Sequence, residues 1–165
     1  MKKFWLLMSA LILSLALTAC ADGGEDAAET EKDPAPTEEE VKKSLVKFYM
    51  GLERSINAVD TDLNAFESAE EPDAELKAKA SESATAVAGK IKEATVPAEL
   101  EEQKAEIESA LKDYTAAYEL KAEELKKDAP SFDAADAAIT KADETIGAVF
   151  ESLGLLKPSL AKSVN

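Results

Sequence analysis

Histidine is missing from this 165-residue chain, and cysteine, tryptophan and arginine each occur once, as Cys20, Trp5 and Arg54. The lack of histidine excludes Ser-His-Asp and Cys-His nucleophilic sites. It also excludes the Glu-x-x-His motif of di-iron bundles and the HExxH zinc site. A single cysteine excludes an internal disulfide, so the fold must be held by packing. Basic charge is scarce: 19 Lys and Arg stand against 34 Asp and Glu, a net charge of −15. That disfavours nucleic acid, whose phosphates need a basic surface. The only paired glycines, Gly23-Gly24, lie in a polar stretch, so no phosphate-cradling loop is present. No stretch alternates in the two-residue period of a strand.

The one long apolar run comes first. Met1-Lys2-Lys3 is a positive start, and Phe4 to Leu17 is an apolar core interrupted only by serines. It is short for a membrane-spanning helix, which needs about 20 apolar residues, and it has the length of a secretory signal core. The run ends in Leu17-Thr18-Ala19-Cys20, which resembles the bacterial lipobox, a Leu-small-small-Cys pattern. The resemblance covers the first 20 residues. It implies cleavage between Ala19 and Cys20, a diacylglycerol on the Cys20 sulfur, and lipid anchoring on the extracytoplasmic side of a bacterial membrane. Two acyl chains give the stable attachment that one does not.

The domains expected are therefore a signal at 1–19, a lipidated cysteine with an acidic tether at 20–36, a helical domain at 37–154 and a tail at 155–165. Loss of Lys2 and Lys3 with the signal takes the net charge to −17. Residues 20–40 hold nine acids and one lysine, a net charge of −8. The tether is poor in large apolar residues and rich in Asp, Glu, Gly and Pro. Such a segment cannot offset its folding entropy, and its charges repel one another and extend it.

Beyond the tether, Pro72, Pro97, Pro130 and Pro158 fall between apolar-periodic segments and never inside one, as a helix interior requires. Segment one starts at Thr37 with Glu40 three residues on, a capping box. Its stripe (Val41, Leu45, Phe48, Leu52, Ile56, Val59, Leu63, Phe66) advances about 3.6 residues per step, predicting one helix over 38–70. Segment two, 73–95, carries an alanine-rich stripe suited to close approach. Segment three, 98–127, is striped by Leu100, Ile107, Leu111, Tyr114, Tyr118, Ala122 and Leu125. Segment four, 133–153, runs from Phe132 to Leu153, with Gly154 placed as the residue after its cap. Short connections make neighbours antiparallel. The expected fold is an all-α, up-down bundle of four helices; the alternative is an elongated three-helix bundle with segment two partly detached. The leucines of the tail are expected to cover one end, or the tail to bind a partner.

Asp60, Asp62, Asn64 and Glu71 sit at EF-hand positions 1, 3, 5 and 12. Ala65 stands where the loop needs glycine, and the helical stripe runs through the segment, so no metal site is expected. Carboxylate pairs such as Glu67 with Glu70 and Glu71, Glu102 with Glu106, and Glu119 with Glu123 lie off the stripes and read as a solvated acidic face. The candidate ligand groove lies between segments one and three, with Tyr114, Tyr118 and Arg54 as its residues; each also has a plain role, the tyrosines in the core and Arg54 on the surface. No cofactor is expected. The function expected is non-catalytic binding or scaffolding at the membrane surface, with an envelope protein or cell-wall polymer as partner. The alternative is an acidic, cation-binding module at the cell envelope.

Overall fold

The computed structural model describes residues 35–164. The signal segment, Ala19, Cys20 and nearly all of the tether lie outside the described residues. Six helices follow in order: α1 (Glu38–Asn57), α2 (Thr61–Ser68), α3 (Ala74–Glu93), α4 (Lys104–Glu124), α5 (Asp133–Ser152) and α6 (Leu160–Ser163), with a 3-10 segment at Ala98–Gln103 before α4. Among the described residues there is no strand. The fold is an all-α helical bundle. Its four long helices are α1, α3, α4 and α5. The helix α3 packs against α2 and α4 rather than standing apart, and α4 packs along α5. That disposes of the three-helix alternative.

The helix ends follow local chemistry. Thr37 and Glu40 form the reciprocal capping box at the start of α1. The Asp73 carboxylate accepts the Leu76 N–H at 2.7 Å and caps α3. At the end of α5, Gly154 takes φ +71°. Its N–H reaches the Glu151 carbonyl and the Leu155 N–H reaches that of Phe150, both at 2.9 Å, a pairing that satisfies two otherwise orphaned carbonyls.

Segment one is not one helix but two. The chain leaves helical pairing at Ala58–Asp60 and resumes as α2. Ser83 of α3 holds the break: its hydroxyl donates to the Val59 carbonyl at 2.6 Å and accepts the Leu63 N–H at 3.3 Å. The stripe survives because α2 re-enters on the same side, burying Leu63. Segment three is also divided. Leu100 has non-helical backbone angles inside the 3-10 segment, and its side chain is wholly buried. Burying one leucine contributes about 1.5–3 kcal/mol, enough to outweigh a regular first turn.

The core draws on every helix: Leu45, Leu52 and Ile56 from α1, Leu63 from α2, Val87 and Ile91 from α3, Ile107 and Leu111 from α4, Ile146 and Val149 from α5, Leu160 from α6. Tyr49 of α1 meets Phe150 of α5 edge-on, with ring centres 5.4 Å apart. Small residues on α3 (Ala80, Ala84, Ala88) are buried, and Ser81 donates directly to the Ala122 carbonyl on α4 at 2.9 Å. That is the close approach an alanine stripe permits. The tail does not cover an end of the bundle. It returns alongside α5 toward the α1–α2 break, where Asn57 donates to the Ser163 carbonyl at 3.3 Å. Leu160 and Val164 are buried, whereas Leu156 is 93% exposed.

Candidate functional site

A groove of about 670 Å³ lies between α1 and the end of α3 with the link that follows it. The α1 side is built by Ser44, Phe48, Gly51, Ser55 and Ala58. Their steps of 4, 3, 4 and 3 residues place them in one row at the edge of the buried face. Small side chains in that row leave the space open. A Cβ added to Gly51 would meet nothing within 4 Å. Ala94 and Pro97 close the far side: α3 ends at Glu93, and Pro97 cannot extend a helix from there. The floor is apolar through Phe48 and Leu52. On the rim, Lys90 pairs with Glu93 at 2.9 Å, Ser44 donates to Glu99 at 3.4 Å, and Lys47 has no ion pair among the described residues.

The three candidates read from the sequence are not brought together. Tyr114 is fully buried and donates to Asp143 at 2.5 Å, so no ligand reaches it. Tyr118 is buried too, and lines a separate cavity of about 190 Å³ with Lys121, Glu67 and Asp136. Arg54 is exposed on α1, lines neither recess, and has no ion pair among the described residues. The groove that is present lies between segments one and two rather than one and three, and Lys47, Phe48 and Gly51 line it with the end of α3. The physical reason is register: Tyr114 and Tyr118 point from the α4 stripe into the core, and Arg54 sits on the opposite flank of α1 from Leu52 and Ile56. Cys20 and Ala19 lie outside the described residues. The EF-hand spacing forms no loop, since positions Thr61 to Ser68 are helical. Among the described residues, no three His, Cys, Asp or Glu side chains are placed to hold a metal ion.

Two polar clusters escaped the sequence reading. Asp143 gathers three donors: Tyr114 Oη at 2.5 Å, Ser159 Oγ at 2.5 Å and the Leu160 N–H at 2.9 Å. It thereby fastens the tail to the bundle. Lys121 is buried, with its Nζ 2.7 Å from Glu67 and 3.1 Å from Asp136, and 5.0 Å from the centre of the Phe132 ring. Both positions carried a signal. Asp143 stands four residues after Ile139 and three before Ile146, and Lys121 stands three after Tyr118 and four before Leu125. Each occupies a stripe position where an apolar side chain is usual. Burial raises the phenol pKa of Tyr114, Tyr118 and Tyr49, with the bond to Asp143 adding to it at Tyr114.

The fold therefore defines an all-α bundle with an open, apolar-floored groove on one side. Among the described residues, no helix is long and apolar enough to cross a membrane. The chain matches no protein-family model, no curated protein and no solved structure.

Proposed function

We propose that this chain is a lipid-anchored binding or scaffolding protein at the extracytoplasmic face of a bacterial membrane, without catalytic activity, and that the groove beside α1 is its binding site. The observation that carries the reading is Leu17-Thr18-Ala19-Cys20 at the end of the apolar run. The acidic tether that follows supports it. Residues 20–40 carry a net charge of −8, which anionic headgroups repel, so the bundle is expected to stand off the surface. An envelope protein or a cell-wall polymer is the partner class for such a module. Expression with the native signal in a bacterial host fed an alkyne-tagged fatty acid tests the anchor. The wild type takes the label and fractionates with membranes, and Cys20→Ala does neither. A wild-type chain that stays unlabelled refutes it.

A further inference from the structure

We infer that the groove beside α1 is a site for a long-chain fatty acid, its acyl chain along the apolar floor and its carboxylate at the cationic flank of α1. The inference rests on the binding role proposed above and names its ligand. The row from Ser44 to Ala58 advances 14 steps, about 21 Å along a helix, so the groove is elongated. Its volume of about 670 Å³ falls within the range of small-molecule sites, about 300–1,000 Å³. A single extended apolar chain suits that shape better than a compact polar ligand.

In a chain with 34 acids and 19 bases, most lysines find a carboxylate: Lys42, Lys79, Lys90, Lys92 and Lys141 all do so. Lys43, Lys47 and Arg54 make no ion pair among the described residues. Their spacing of 4 and 7 residues places them on one strip of α1; of the three, Lys47 lines the groove, and Lys43 and Arg54 lie outside it on the outer side of the helix. Met50, 52% exposed, lies in the same strip. The acids on the opposite rim are already engaged, Glu93 by Lys90 and Glu99 by Ser44. An apolar floor beside the unpaired Lys47 complements an anionic head on an apolar chain. A neutral lipid would leave that cation unanswered, and a short anion would leave the floor empty.

The test uses residues 34–165, which form one compact unit with its own core, and so carries no anchor lipid. Titration with cis-parinarate should show saturable fluorescence at one site per chain. Palmitate should displace the probe at least about 10-fold better than its methyl ester, a difference of about 1.4 kcal/mol. Gly51→Leu, which fills the groove, should abolish binding while it keeps the wild-type helical circular dichroism and melts at or above the wild-type temperature, since a mid-helix glycine is removed. Lys47→Gln, which removes the unpaired cation lining the groove, should lose the preference for palmitate over the ester, whereas Arg54→Gln, outside the groove, should retain it. Absence of saturable binding, wild-type binding by Gly51→Leu, or equal displacement by acid and ester each overturns the inference. None of these results bears on the labelling of Cys20, so the anchor and the ligand stand or fall separately.

Discussion

Replacing Asp143 with alanine should unfasten the C-terminal tail and strand a buried phenol. In the native fold this carboxylate accepts from Tyr114 Oη, Ser159 Oγ and the Leu160 N–H. Hydrogen bonds to a charged group contribute about 1.5–3 kcal/mol each, and a buried donor left without a partner costs about 1–3 kcal/mol. Tyr114 is fully buried, so its hydroxyl bears that cost. Ser159 and Leu160 can turn to water if the tail lifts, but Leu160 is then drawn from the core. Because the three bonds share one acceptor, the terms do not add, and a net loss of about 3–5 kcal/mol is expected. For a domain of this size that lowers the melting temperature by about 10–15 °C. Asp143→Asn keeps an acceptor and the shape but not the charge, and should lose about half as much. Thermal melts by circular dichroism give the totals, and hydrogen exchange at residues 159–164 separates tail release from global loosening. In a chain lacking 155–165, Asp143→Ala should cost only the Tyr114 share. A loss below about 1 kcal/mol in the full chain would refute the claim that this carboxylate fastens the tail.

Two further outcomes follow from the buried groups. Tyr49, Tyr114 and Tyr118 are the chain's only tyrosines, and the fold raises the phenol pKa of all three, by burial first. The fold thus keeps protons that the unfolded chain releases above about pH 10; stability is complete below that pH and falls as pH rises beyond it. An absorbance titration at alkaline pH should show no phenolate step near the free value, only a cooperative one coincident with loss of helix. A normal early step would refute the burial of at least one ring. Lys121→Ala should lose about 2–3 kcal/mol in urea, since the buried stem leaves a cavity, whereas Lys121→Met should stay within about 1 kcal/mol of wild type, because Glu67 and Asp136 lie near enough to solvent to be rehydrated. If Met and Ala are equally destabilising, the ion pairs rather than the stem hold this corner.

Much of the bundle was legible along the chain because its causes are local. A 3.6-residue stripe, a capping box at Thr37 and Glu40, a glycine after α5 and prolines between segments each act within a few residues, and the structure has each in place. The candidate site was legible only in part. Arg54 stands out as the lone arginine, yet on its strip of α1 it is Lys47 that lines the groove. That groove depends on where α3 stops and how far its neighbour stands off. The stripe positions of Tyr114 and Tyr118 fit either core or groove, and the packing of α5 and the tail over α4 puts both inside.

What the sequence determined by itself is the helical class, the positions of the long helices and the Leu17–Cys20 motif that motivates the anchor, since each rests on residue types at short fixed spacings. What only the tertiary structure decided lies at distances the spacings do not encode. The break at Ala58–Asp60 exists because a serine 24 positions further on supplies the hydrogen bonds that helix continuation would have made. The tail lies beside α5 because Asp143 offers a carboxylate to its turn. At the groove rim Glu99 is held by Ser44 of α1, while Lys47 makes no ion pair among the described residues. Each is a competition between groups far apart in the chain, and its outcome depends on which of them the packed helices bring within reach.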